Sequence, residues 1–451
     1  MTAPARRAAY HVLRAVDSGR HDLPTALAEH RRHLPDERDR ALTLEIATGT
    51  LRWQRTLDHL VEHFARRSPG RLDAEVLTIL RLSIHQLLHL DRVPAAAVVD
   101  DAVDLTREAR KPSASGFVNG VLRALLRQRR NLPLPPRPEV IGDRTAALAY
   151  LGVAHSHPDW LVERWLDRHG FDATEQWLRF NNDTPALTLR VNCLRTTLPD
   201  VQSALERDGV QTERTRYASD ALRVVSGNPL ALELDGTFTV QDEASQLVAT
   251  IASARPGERV LDLCAAPGGK ATAMAADMRG EGVLVASDVR ATRMRLLRQS
   301  VERSGASHIQ IVQVDGQGPL PFARVFDRLL VDAPCSGLGT IRRDPDIRWR
   351  RRAEDLPRFA EAQLQLLARA ADVLKPAGRL VYATCSSEPE ENEDIVDALL
   401  ATGMFELIDL RSQPLPEAIL PLLDARGMFR TLPFIHGLEA FFAAVLARRQ
   451  G

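Results

Sequence analysis

The sequence predicts a multidomain chain with an all-α domain at the N-terminus, a small α+β module after it, and a C-terminal α/β domain built on a doubly wound parallel sheet. Three observations carry this. Apolar residues recur at spacings of three and four throughout residues 1–130, in AAYHVLRAV, ALTLEIATGTLRWQRTLDHLVEHF and EVLTILRLSIHQLLHL. From about residue 255 strand-like and helical runs alternate, which in one sheet places parallel strands under helices on both faces. At 451 residues the chain exceeds one ordinary core, so two or three units are expected.

The elements follow in order. The helical domain, 1–130, closes with GFVNGVLRALLRQRR. Residues 131–144 include NLPLPPRPEV, whose prolines cannot continue a helix and suit an extended linker. In the module at 145–240, the helical runs DWLVERWLDRHG and ATEQWLRFNN precede strand-like ALTLRVN, LRVVSG and TFTVQD. Within 241–451 the strands are read as RVLDLC, VLVASD, IQIVQVD, FDRLLVDAP and RLVYATCS, with helices between them and two closing strands, FELIDL and FFAAVLAR.

Composition narrows the function classes. A chain 44% hydrophobic and 26% charged has the balance of a soluble globular protein. No apolar run reaches the 18 or so residues of a membrane span, and the start lacks a secretory h-region and cleavage site. A cytoplasmic monomer without a membrane partner is expected. Four cysteines with no C-x-x-C pair make neither a disulfide framework nor a zinc ribbon, so any cysteine in use acts singly. The net charge of zero hides a gradient, because residues 1–130 hold 22 Lys/Arg against 16 Asp/Glu. Only Lys111, Lys270 and Lys375 are lysines, so a position that keeps Lys is a candidate for a role needing a compact ammonium.

In open α/β sheets ligands bind beyond the carboxyl ends of the strands. The first strand ends in Asp262-Leu263-Cys264 and runs into Ala265, Ala266, Pro267, Gly268, Gly269 and Lys270, a small-residue turn that lets a backbone approach a ligand before a helix begins. It matches neither G-x-G-x-x-G nor a P-loop. The second strand ends in Asp288, where an acid gripping ribose hydroxyls belongs, and the third in Asp315. The fourth ends Asp332-Ala333-Pro334-Cys335-Ser336-Gly337 and the fifth Ala383-Thr384-Cys385-Ser386, so three of the four cysteines fall at one sheet edge. Each alone reads as a small buried hydrophobe; together they point to thiol chemistry. No metal site is expected, since no histidine or fourth thiol lies at ligand spacing.

The segments DLCAAPGGKAT, DAPCSGLGTIRRDPDIRW and VYATCSSEPEENEDIV resemble the signatures of the NOL/NOP2/Sun group of RNA cytosine-5 methyltransferases. HPDWLVERW, LTLRVN and FTVQDEASQLV resemble that group's small module and its lead-in, while residues 1–130, with GTLRW and FVNGVLRALL, resemble the NusB-like helical domain of its bacterial ribosomal RNA members. The resemblance spans nearly the whole chain. Its two cysteine segments are specific, because DNA cytosine-5 methyltransferases use a Pro-Cys nucleophile and lack the second, Thr-Cys.

The resemblance implies a NusB-like RNA-binding domain, a Rossmann-like class I methyltransferase domain at 241–451, S-adenosylmethionine as cofactor, and 16S ribosomal RNA, free or in an assembling small subunit, as substrate. Transfer RNA would suit the same chemistry, and an inactive RNA-binding protein is the reading from another class; two intact cysteines speak against the latter. By the same resemblance Cys385 is the nucleophile on carbon 6, Cys335 assists product release, and Asp332 sits between cofactor and the polar edge of cytosine. Cys264 to Lys270 cradle the methionine end of the cofactor, with Lys270 adding a positive contact there or in the catalytic pocket. Asp288 takes the ribose and Asp315 the adenine side. Six arginines just after Cys335, namely Arg342, Arg343, Arg348, Arg350, Arg351 and Arg352, read as phosphate contacts, with Trp349 as a stacking plane; a solvated helix face is the other reading. One segment departs from the group's pattern. LPFIHGLEAFFAAVLA holds Phe434, Glu439 and Ala440 where a His and an Asp-Gly are usual, and its strand is expected at the far side of the sheet from the chemistry.

Overall fold

The computed structural model describes residues 2–140 and 142–450 and divides into two compact units, 1–184 with 341–353, and 185–340 with 354–451. By packing, the boundary at 184/185 falls inside the module expected at 145–240. Its helices Asp159–His169 and Phe171–Asn182 belong to the first unit and its strands to the second.

The first unit is helical. Its central helix, Ala74–His89, is apolar on nearly every face and buries Ile79, Leu80, Leu82, Ile84 and Leu87 against helices Pro4–Asp17, Glu37–Arg52, Gln54–Ala65, Ala95–Glu108 and Ser115–Arg127. A helix apolar all round is stable only as the centre of such a bundle. Helix starts are set by acceptors, as where Asp22 takes the N–H of Thr25 and Asp36 that of Arg38. Among its described residues the proline-rich linker holds no helix before Arg144, and Leu132 and Leu134 fold back onto the helical core. No helix among the described residues is long and apolar enough to cross a membrane.

The second unit holds two sheets. The smaller is antiparallel, in the order β2 (Gln211–Arg214), β3 (Ala221–Ser226), β1 (Thr188–Val191), β4 (Phe238–Val240). Of these β2 was absent from the sequence reading, because QTER carries no apolar alternation.

The larger sheet contains β5 (Arg259–Asp262), β6 (Val283–Asp288), β7 (Ile309–Gln313), β8 (Phe326–Asp332), β9 (Leu374–Thr384), β10 (Phe405–Leu407), β11 (Phe429–Arg430) and β12 (Phe442–Arg448). Strands β9, β8, β5, β6 and β7 are parallel neighbours in that order, and β12 then β10 extend the β9 edge antiparallel. Along β8, Leu329 and Val331 pack into one hydrophobic cluster and Leu330 into the other, so both faces are covered. The chain leaves β5 toward β6 and β7, then crosses back to lay β8 on the other side of β5. That reversal opens a crevice at the carboxyl ends of β5 and β8.

Candidate active site

The turn after β5 occupies this crevice. Gly268 has φ +110°, and a Cβ there would lie 3.0 Å from both Leu297 Cδ1 and Ser300 Cβ, so the turn needs glycine. The helix Gly269–Asp277 starts immediately after, with its first N–H groups toward the crevice end. Upstream the turn is pinned by Ala265 N–H donating to Ser287 O (2.8 Å) and by Arg293 donating to Ala266 O (2.9 Å). Cys264, Ala265, Ala266, Pro267, Gly269 and Lys270 line one side of a cavity of about 510 Å³; Asp262 and Asp332 form its acidic floor, and Leu232, Leu234, Phe238 and Gln241 face them.

Five charged residues line the cavity, Asp235, Asp262, Lys270, Arg303 and Asp332, and Lys270, Asp332 and Asp262 act on one another. Lys270 Nζ donates to Asp332 Oδ2 at 2.6 Å. Burial works against the ammonium, but Asp332, together with Cys385 and Asp262, outweighs it and the Lys270 pKa is raised. Of the other two lysines, Lys111 pairs with Asp73 and Lys375 with Asp327 away from the crevice. Asp262 is fully buried and neither of its carboxylate oxygens has a hydrogen-bond partner. Burial first, and the charge of Asp332 second, push it up to about 8. A buried acid without a donor is uncommon and suits a site that receives a cation. Burial, then Asp262, likewise pushes the Cys264 thiol up.

Asp288 ends β6, the strand beside β5. Its Oδ1 accepts the N–H of Arg290 (3.2 Å), Arg293 stands 3.6 Å from its Oδ2, and that oxygen has no hydrogen-bond donor. Asp315 lies two residues beyond β7, exposed, and accepts the N–H of Gln317.

Strands β8 and β9 bring the other two cysteines together, with Cys335 Sγ 3.3 Å from Cys385 Sγ. The Cys335 thiol is pushed up by its hydrogen bond with Cys385, by burial, and by the charges of Cys385 and Glu391. Gly339 N–H donates to Cys385 O (2.9 Å) and Ala440 N–H to Gly339 O (3.1 Å), so the two cysteine loops and the C-terminal segment are laced by backbone. Here the structure corrects the sequence reading. LEAFF leads into β12, which pairs directly with β9, Phe442 facing Thr384, and so adjoins the chemistry. Phe441 places its ring 5.7 Å from Lys270 Nζ, close enough for a cation–π contact.

The arginine run needs a second correction. Residues 341–353 pack in the first unit. Arg348 is fully buried, donating to Arg52 O, Ser156 O, Asn181 O and Asn182 Oδ1 at 2.9–3.2 Å, which leaves no surface for a phosphate. Arg342 donates to Asp183 O and Thr184 O and lies 4.3 Å over the Phe180 ring. Trp349 is no stacking plane; it packs on the helical core and donates to Leu51 O at 2.6 Å. Arg343 and Arg351 are half-buried and hold partners within the protein. Arg350 and Arg352 are exposed, Arg350 pairing with Asp346.

Sequence reasoning missed Phe441, Glu391 and the serines after each cysteine. The available signal was the repeated Cys-Ser dipeptide, at 335–336 and 385–386.

Compared with known proteins, residues 249–447 match the family model of the 16S rRNA methyltransferases RsmB/F, residues 3–127 the NusB family, and residues 157–231 the ferredoxin-like domain of RsmF/B-like methyltransferases. The chain is 32% identical over 418 residues to the probable ribosomal RNA small subunit methyltransferase B of Bacillus subtilis, covering 92% of this chain and 91% of that one. It is 34% identical over 403 residues to the ribosomal RNA small subunit methyltransferase B of Pseudomonas putida, covering 88% of each. Among solved structures, that of PH0851 superposes with a TM-score of 0.80 at 27% identity, over 99% of both chains.

Proposed function

Since the chain belongs to the RsmB/F family of 16S ribosomal RNA methyltransferases, we propose that it methylates carbon 5 of one cytosine in 16S ribosomal RNA through a covalent bond from Cys385 to carbon 6. The observation that carries this reading is the pair of thiols 3.3 Å apart beside the Lys270–Asp332 ion pair.

The residues present fit S-adenosylmethionine. The orphaned carboxylate of Asp262 suits its positive end, the N-terminus of helix Gly269–Asp277 suits its carboxylate, and Asp288, with an oxygen lacking a donor, suits its ribose. When bound, it supplies an electrophilic methyl group on a sulfonium.

Carbon 5 of cytosine is a poor nucleophile until a group adds at carbon 6. The Cys385 thiolate forms the S–C6 bond, and the electrons of the C5–C6 double bond move to carbon 5, which would take the methyl as its bond to the sulfonium sulfur breaks, leaving a neutral thioether. Asp332 and Lys270 face the polar edge of the base and stabilise charge that develops there. Cys335, beside Cys385, then assists loss of the carbon-5 proton and departure of Cys385. The target must leave its stack, which costs a few kcal/mol. The exposed Arg350 and Arg352, with the basic excess of residues 1–130, supply phosphate contacts that offset it.

Bisulfite sequencing of 16S ribosomal RNA from a strain lacking the gene tests the proposal. One cytosine protected in the parent strain should become convertible and regain protection on complementation. An unchanged map would overturn the assignment.

A further inference from the structure

One buried carboxylate takes no part in the mechanism above. Glu391 is fully buried and bonded to four donors. Its Oε1 accepts from Ser336 N–H (2.8 Å) and Gln363 Nε2 (3.1 Å), and its Oε2 accepts from the hydroxyls of Ser336 (2.5 Å) and Ser386 (2.6 Å). Ser336 follows Cys335 and Ser386 follows Cys385. One side chain is thus bonded to the residue after each thiol, from a helical turn that supplies neither.

The anchor is itself fixed. Tyr382, three residues before Cys385 on β9, donates to Glu391 O (2.6 Å), and Glu391 N–H donates to Glu388 O (3.1 Å). The next residue, Asn392, accepts from Thr384 Oγ1 (2.6 Å) and donates to Ser386 O (3.0 Å). A carboxylate held out of water is costly unless its lone pairs are satisfied, and four donors meet that need. Packing alone would be served equally by an apolar side chain. An acid is required because donors reach both oxygens, two on each, and an amide would turn its NH2 against one of those pairs.

We propose that Glu391 is a positioning residue for both thiols, gripping the serine beyond each cysteine and so setting the 3.3 Å approach of Cys335 to Cys385. The inference rests on the reading of that pair as the reacting thiols. The charge of Glu391 also adds to the effects of Cys385 and of burial that push the Cys335 thiol up. The titratable groups facing Cys335 are Cys385, Glu391 and Tyr382, and Lys270 stands on the Cys385 side.

The test uses the full-length protein without RNA or cofactor, so it can succeed or fail independently of cytosine methylation. Diamide oxidises the two thiols to a disulfide and is itself reduced to the hydrazine, and its closure rate reports their approach. Iodoacetamide labelling across pH, read by peptide mass spectrometry, reports the ionisation of Cys335. In Glu391→Gln, closure should slow at least tenfold and Cys335 labelling should move to lower pH, with little change in melting temperature. Methyl transfer should fall about a hundredfold, the scale of a misplacement near 1 Å. A second variant, Ser336→Ala with Ser386→Ala, removes both hydroxyl donors and should slow closure similarly even if Glu391→Gln fails to fold. Wild-type closure in the serine variant, or wild-type closure and labelling in a folded Glu391→Gln, would overturn the proposal.

Discussion

Replacing Asp262 by asparagine should remove a loss of stability that the wild type undergoes as pH rises, and should weaken cofactor binding. The carboxyl is fully buried, lacks any donor and titrates at about 8 in the folded chain. In the unfolded chain it titrates near 4. An acid raised on folding contributes stability at low pH that is lost as pH climbs from the unfolded value through the folded one. Between pH 5 and pH 8 that loss is on the order of 4 kcal/mol, from 1.36 kcal/mol per unit. For a unit of this size it corresponds to roughly 10 °C in melting temperature. The melting temperature of Asp262→Asn relative to wild type should therefore rise by about that much across the window. Cofactor binding responds oppositely, because a cation in the cavity favours the carboxylate. Wild-type affinity should increase about tenfold from pH 6 to pH 7, where the cofactor amine stays charged, with release of close to one proton per site. Calorimetry in buffers of different ionisation enthalpy measures the proton. A flat wild-type affinity with no proton release, or parallel melting curves for the two proteins, would refute the argument.

Four further substitutions probe the rest of the site and the arginine run. In Gly339→Ala a Cβ would meet Ala440 O at 1.9 Å and Cys385 O at 2.8 Å, both backbone, opening two hydrogen bonds. A loss of about 3–5 kcal/mol follows from the overpacking and the lost bonds, and an unchanged urea midpoint would contradict it. Phe441→Ala removes the ring beside Lys270, worth about 1 kcal/mol, and should lower turnover with cofactor affinity unchanged; equal kcat would exclude the ring from the site. Within the arginine run, Arg348→Met should destabilise the first unit by about 3–5 kcal/mol without altering the salt dependence of RNA binding, while Arg350→Glu should flatten that dependence and spare stability. The reverse pattern would restore Arg348 as a phosphate ligand.

The larger sheet was legible because β5, β6 and β8 are apolar runs ending in acids and β9 runs straight into Cys385, a pattern left by parallel strands buried on both faces. The acids Asp262, Asp288 and Asp332 and the turn at 264–270 could be placed from it, since the crevice of such a sheet is fixed by its topology. What sequence does not reveal is which side chains return to the site from elsewhere. The segment before β12 looked remote because its position next to β9 depends on a nonlocal antiparallel pairing. Glu391 sits among the acids of EPEENED, where nothing in the sequence singles it out; only tertiary structure turns its carboxylate toward Ser336 and Ser386. The arginines illustrate the converse. A dense basic run suggests phosphates, yet Arg348 spends its donors on backbone carbonyls and Trp349 on Leu51 O. Charge along a sequence does not distinguish a surface from a buried guanidinium that ties chain segments together.

With their sulfurs 3.3 Å apart, Cys335 and Cys385 are both within reach of carbon 6 as the attacking thiol. The most direct measurement mixes a 16S ribosomal RNA fragment and S-adenosylmethionine with Cys335→Ala and Cys385→Ala separately, and resolves the products on a denaturing gel. With Cys385 as nucleophile and Cys335 needed only for release, Cys335→Ala should accumulate a protein–RNA adduct carrying the methyl group, and Cys385→Ala should form neither adduct nor methylated RNA. An adduct trapped in Cys385→Ala and absent from Cys335→Ala would assign the attack to the Pro-Cys thiol and contradict the account.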